Sequence, residues 1–191
     1  MKVTPMELRD VLLIEPDVFK DQRGFFLETW SLQRYADAGV GVPFVQDNLS
    51  QSTRGTLRGL HLQCPFSQGK LVHVVRGEVF DVSVDVRVGS PTFGRWVGHL
   101  LRSTDHAQIY IPPGFAHGFC VTSEEALFEY KCTETYHPEA ELGIAWDDPD
   151  LAIAWPDLER TISTKDRAHP RLRDVSEDKL PKYTPPSEGG A

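Results

Sequence analysis

Four short segments carry most of the side chains that could do chemistry: DQRGFF (21–26), RGLHLQ (58–63), PPGFAHGF (112–119) and STKD (163–166). They supply Arg23, Arg58, His61, His117, Lys165 and Asp166, and Lys70 stands at the head of the β-branched run KLVHVVRG. Imidazoles move protons near neutral pH, carboxylates orient them, and guanidinium or ammonium groups hold anions. Gathered at one barrel mouth, such a set would serve a small enzyme acting on an anionic, sugar-like substrate. Each residue also has a plainer reading. A half-buried histidine with one ordinary hydrogen bond, a core tyrosine with a satisfied hydroxyl and a solvated lysine are all commoner than catalytic ones. Taken singly, the residues leave that choice open.

The elements that must position them read as strands. In VFDVSVDVRV (79–88), Val82, Val84 and Val86 alternate with Asp81, Ser83, Asp85 and Arg87, the period of a half-buried strand. KLVHVVRG just upstream ends at Gly77 and predicts a hairpin hinged at Arg76-Gly77-Glu78. Further strands are expected at 11–15, 24–29, 44–51, 55–63, 95–101, 107–111 and 126–133. A short helix is expected at 32–38, capped by Ser31 and stopped by Gly39, and a helical turn near 156–160 starting at Pro156. Short strands broken by turn signals predict an all-β sandwich or barrel. Arg58 and His61 differ in strand parity, so both can point inward only if Gly59 permits a bulge. In ALFEYKCT, Tyr130 shares a face with Phe128 and Cys132.

The 191 residues suffice for one domain with a real core. It is expected over 1–173, followed by a polar, mobile tail over 174–191 that is rich in Pro and Gly (PKYTPPSEGGA) and dispensable from about residue 176. A formal net charge of −8 argues against nucleic-acid or membrane partners. An anionic substrate would need a local cluster of Arg and Lys. Three cysteines (Cys64, Cys120, Cys132) read as buried free thiols, which favours a cytoplasmic location. The N-terminus has no secretory pattern, and no long apolar run occurs.

PPGFAHGF has the form P-x-G-x-x-H, similar to the second motif of the cupin superfamily, whose fold is a jelly-roll barrel. With DQRGFF, QDNLSQS, RGLHLQ, QGKLVHVVRGEVFDVSVDVR and STKD in the same order, the chain resembles the dTDP-4-dehydrorhamnose 3,5-epimerase family over about residues 3–170. The resemblance implies a cupin jelly roll with a few short helices. It implies an enzyme that inverts the carbons flanking a 4-keto group of a dTDP-sugar by way of an enolate, with no cofactor. By the same resemblance His61 is the base and Asp166 its orienting partner, Tyr130 is the acid and Lys70 stabilises the enolate. Arg23, Phe26, Glu28, Gln46 and Asn48 match nucleotide-binding positions. Arg58, His117, Glu141 and Lys165 match substrate-binding positions, His117 at the sugar or phosphate. The segment bearing Arg23 and Glu28 would cross to a second subunit, giving a homodimer with shared sites.

Metal-binding cupins are expected to show His-x-His in the first motif, and this chain has His61-Leu62-Gln63. With Gln63 in place of the second histidine, no catalytic metal is expected. Two alternatives remain: an enzyme that inverts only carbon 3 or carbon 5 of a related ketosugar nucleotide, and a silent cupin that only binds one.

Overall fold

The computed structural model describes residues 1–185 and is built mainly from antiparallel strands. Strands β1 (Lys2–Pro5), β2 (Leu12–Glu15), β3 (Val18–Asp21) and β4 (Gly24–Leu27) precede helix α1 (Leu32–Asp37). Then come β5 (Gln46–Thr53), β6 (Thr56–Gln63), β7 (Lys70–Arg76), β8 (Glu78–Asp85), β9 (Trp96–Arg102), β10 (Gln108–Ile111), β11 (Phe115–Val121) and β12 (Glu125–Cys132). Short strands β13 (Glu141–Gly143) and β14 (Thr161–Ile162) and the one-turn helix α2 (Thr164–Arg167) follow. One sheet has the order β1-β2-β10-β7-β12-β5 and the other β13-β6-β11-β8-β9, with β14 lying parallel to β6. Strands β3 and β4 form a separate hairpin. This is the expected all-β jelly-roll architecture.

The two sheets bury their facing apolar side chains against each other. Val72, Val74, Ile109 and Phe128 of the first meet Val79, Leu101, Phe119 and Val121 of the second. The period-2 reading of 79–88 holds, but its faces do not fall as expected. Val79 points between the sheets, so Asp81 and Ser83 point inward too, and both are buried. Val82, Val84 and Val86 face outward, where Ile144, Leu151, Leu172 and Leu180 of the later chain cover them. The strand is buried on both sides because the C-terminal third wraps over the second sheet.

The hairpin expected at Arg76-Gly77-Glu78 does not form. Strand β7 pairs with β10 and β12, whereas β8 pairs with β11 and β9, so these residues carry the chain from one sheet to the other. The corner takes Gly77 at φ +85°, with the Glu125 carbonyl oxygen only 2.1 Å from where a Cβ would stand. Helix α1 lies where expected, yet Ser31 makes no side-chain capping bond. Residues 156–160 are not helical; Arg160 Nη2 donates to the Pro156 carbonyl at 2.8 Å, so a side chain closes that turn. The helical turn lies instead at α2, where Ser163 Oγ caps the Asp166 N–H at 3.0 Å.

Much of the stretch from 174 that was expected as a tail packs against the barrel. Leu180 is buried, the Val88 N–H donates to the Pro181 carbonyl at 2.8 Å, and the Tyr183 N–H donates to the Val88 carbonyl at 3.0 Å. Residues 186–191 of that expected tail lie outside the described residues. All three cysteines are free; Cys120 and Cys132 are buried, whereas Cys64 is only partly so. No helix among the described residues is long and apolar enough to cross a membrane.

Candidate active site

At one end of the barrel Arg58, His61, Lys70, His117 and Tyr130 line a single cavity of about 190 Å³, together with Ser50, Phe119 and Phe128. The bulge at Gly59 makes this possible. His61 stands opposite His117 and Arg58 opposite Phe119, so three steps along β6 match two along β11. Gly59 has φ +131°, and a Cβ there would lie 2.5 Å from the Gly118 Cα. Two glycines thus let the backbones cross closely enough for Arg58 and His61 to share one face.

His61 Nε2 lies 2.9 Å from Asp166 Oδ1, and the Gly59 N–H donates to Asp166 Oδ2 at 3.3 Å. A carboxylate only accepts, so Nε2 carries the proton of the neutral ring and Nδ1 is left basic. Asp166 is buried and His61 one-third exposed. Burial, the largest influence, pushes the Asp166 carboxyl up. The His61 hydrogen bond and charge, the Gly59 amide and the Ser163 contact more than offset it and hold Asp166 below the usual carboxylate range.

Lys70 and Tyr130 approach from the opposite sheet. Lys70 is buried and donates from Nζ to the His61 carbonyl at 3.4 Å. Burial lowers its pKa, while Cys132, Asp81 and Glu141 pull the other way. Tyr130 is raised, chiefly by burial. The cavity therefore has an imidazole on one wall, a phenol on the other and an ammonium group between the sheets.

His117 forms a second histidine–carboxylate pair, its Nε2 lying 2.7 Å from Asp81 Oδ2 deep in the barrel. Asp81 escaped the sequence reading because it belongs to the polar series of an alternating strand, which looks solvent-facing. Ser50 was missed as well. Tyr136 was another omission: its hydroxyl donates to Glu141 Oε2 at 2.7 Å, beside the Lys165 ammonium at 2.5 Å from the same oxygen. Burial pushes Glu141 up, but Lys165 and Tyr136 hold it below the usual range. Glu141 and Lys165 thus form a pair at the rim, outside the cavity lining. Gln46 and Asn48 hydrogen-bond each other at 2.9 Å on β5, where Asn48 is registered against Tyr130.

Arg23, Phe26 and Glu28 are not brought to the cavity of their own chain. Arg23 pairs with Asp21 at 2.6 Å, Glu28 pairs with Arg34, and Phe26 is 70% exposed on the β3–β4 hairpin.

Fold and cavity together define a cupin-type barrel whose cavity is lined from one sheet by the His61 imidazole and from the other by the Tyr130 phenol and the Lys70 ammonium group. The family model described as dTDP-4-dehydrorhamnose 3,5-epimerase matches residues 5–174, and the chain belongs to that family. A dTDP-4-dehydrorhamnose 3,5-epimerase of Methanothermobacter thermautotrophicus is 51% identical over 171 residues, spanning 87% of this chain and 92% of that one. A crystal structure of a dTDP-6-deoxy-D-glucose-3,5-epimerase from Legionella pneumophila, in complex with dTDP-4-keto-L-rhamnose, matches with a TM-score of 0.94. It is 49% identical and covers 96% of this chain and 98% of its own. A dTDP-4-dehydrorhamnose 3-epimerase of Streptomyces niveus is 43% identical over 155 residues, 80% of this chain and 74% of that one.

Proposed function

We infer that this chain inverts carbon 3 and carbon 5 of dTDP-4-keto-6-deoxy-D-glucose to give dTDP-4-keto-L-rhamnose, using its own side chains and no cofactor. The observation that carries the reading is the placement of His61 and Tyr130 on opposite walls of one cavity. A proton removed from one face of a carbon and returned from the other inverts it. His61 takes the hydrogen next to the ketone; the C–H electron pair delocalises onto the ketone oxygen as an enolate. Asp166 holds the imidazole in the reactive tautomer and stabilises the imidazolium. Lys70 and Arg58 supply positive charge to the oxyanion. Tyr130 gives its hydroxyl proton to the opposite face, and both groups then exchange protons with solvent to reset. His117, held by Asp81, contacts the sugar. Gln46, Asn48, Glu141 and Lys165 bind on the nucleotide side.

Arg23, Phe26 and Glu28 complete the site in a homodimer, in which the β3–β4 hairpin reaches the cavity of a second copy. Phe19, Phe25 and Phe26 stand exposed on that hairpin, and Val45 and Leu49 are exposed at the β5 edge, which supports this arrangement. Arg23 then grips phosphate oxygens, for which its planar fork is suited. Three free cysteines suit a reducing compartment, and we place the enzyme in the cytoplasm.

The deciding experiment is incubation with dTDP-4-keto-6-deoxyglucose in heavy water, with label located by NMR. Deuterium at both carbons is expected. Label at one carbon would replace this reading with a single-carbon epimerase, the reaction named for the Streptomyces niveus relative. No label with nucleotide still bound would leave a binding protein.

A further inference from the structure

His61 and Asp166 have a third neighbour. His169 packs edge-on against the His61 ring, with centroids 5.6 Å apart and planes at 87°. It rests on the bare backbone of Gly143, where an added Cβ would come within 2.2 Å of the imidazole. Its Nδ1 is buried and has no hydrogen-bond partner among the described residues. One ring nitrogen from each histidine and one Asp166 oxygen lie within 4.8 Å of one another. Tetrahedral ligands at about 2.0–2.1 Å from zinc stand about 3.4 Å apart, so modest side-chain rotation would close the set. Only His61 belongs to the cupin metal motif; Gln63, which stands where its second histidine would, instead pins loops through Phe66, Thr135 and His137.

We propose that His61, Asp166 and His169 form an inhibitory binding site for a borderline divalent cation, Zn²⁺ foremost, that takes the place of the proton between His61 Nε2 and Asp166. Two imidazoles and one carboxylate are a donor set that zinc and cobalt accept, with a fourth position left for water. His61 is exposed enough for the cation to enter. The ring of His61 keeps its one proton, which moves from Nε2 to Nδ1 when the cation occupies Nε2. The nitrogen that takes the substrate proton is thereby filled, and the carboxylate that oriented the ring is engaged. That the bound cation is inhibitory rests on the epimerase reading above; the site itself does not.

The test uses the purified full chain stripped with EDTA. Co²⁺ is titrated in and its visible d–d absorption recorded, Zn²⁺ is added in competition, and deuterium wash-in to the ketosugar is followed in the same samples. The expected result is a cobalt band displaced by zinc, and wash-in that zinc suppresses and EDTA restores. In His169→Ala the band should be lost and the half-inhibiting zinc concentration should rise at least tenfold. His169→Gln serves as a second variant that keeps more of the packing, with thermal melts confirming that both fold. Surface groups such as His137 with Glu139 can bind zinc too, so the difference between wild type and variant is what counts. No cobalt band in the wild type, or a band and a zinc sensitivity unchanged in both variants, would overturn the proposal. A His169-dependent band without any wash-in would uphold the cation site and overturn the epimerase reading instead.

Discussion

Lys70 holds its ammonium group where burial opposes charge, and its pKa falls for that reason first. For a base whose folded pKa lies below its unfolded one, the unfolded chain binds more protons between the two values. Stability is therefore penalised while the lysine is charged, and the penalty lifts as pH rises through the lowered folded pKa. Lys70→Met should raise the melting temperature at pH 7 while cutting turnover about 10²–10³-fold, the usual effect of losing one oxyanion donor. A variant that is less stable and fully active would contradict both halves. Asp166 has the opposite sign. Its folded carboxyl is held below the ordinary value, so its contribution is fully present above the unfolded pKa of about 4 and lost as pH falls through the folded pKa. Asp166→Asn should flatten the acid limb of a urea-denaturation series below about pH 4. It should also lower turnover by up to about 10⁴-fold, because the imidazole loses its fixed tautomer. That His61, Lys70, Tyr130 and Asp166 come together could be anticipated only through the family resemblance, since each taken singly had a plainer reading. Asp81 was not anticipated, since alternation says which residues share a face but not which face is inside. His169 was not either, because a lone histidine in RAHP has no spacing to mark it.

At the scale of elements, the crossing of β6 and β11 is the most exacting feature. A methyl group on Gly118 would lie 2.7 Å from the Arg58 carbonyl oxygen and 3.1 Å from the Gly59 Cα, both backbone atoms that cannot swing away. Gly118→Ala should destabilise by about 1–3 kcal/mol, as overpacking does, and weaken activity by rotating Arg58 and His61 apart. Urea unfolding beside wash-in rates would check both, and unchanged stability would show that the strands part easily. The bulge could be anticipated from parity alone, because two inward-facing residues three apart need an extra residue. Strand β11 itself was missed as a strand. Phe115–Val121 is buried on both faces, so PPGFAHGF lacks the alternation that marks a half-buried strand. The failed hairpin at Gly77 has a related cause. A glycine between two β-branched runs reports a turn, but whether the runs pair or part depends on the other strands each one finds.

For the whole molecule, the proposed homodimer would rest on the exposed phenylalanines of the β3–β4 hairpin. Phe26→Ser should weaken a dimer seen by analytical ultracentrifugation and raise the substrate concentration needed for half-maximal rate. A wild-type chain that sediments as a monomer would end the shared-site reading. The C-terminal wrap makes a separate demand. Leu180 is 2% exposed under the second sheet, so Leu180→Ala should lower unfolding free energy by about 2–5 kcal/mol in urea. Loss of only a few tenths would restore the expectation that residues beyond about 176 are dispensable. If His61 is the base and Asp166 its orienting carboxylate, as proposed, their separation of 105 residues also fixes when activity can first appear. At about 5–20 residues per second, a ribosome that has just added His61 needs about 5–20 s more to reach Asp166. Until then the growing polypeptide holds an imidazole with nothing to fix its tautomer. On the proposed mechanism, messages cut short before that codon therefore yield products that lack the orienting carboxylate, and activity waits for a late step of synthesis.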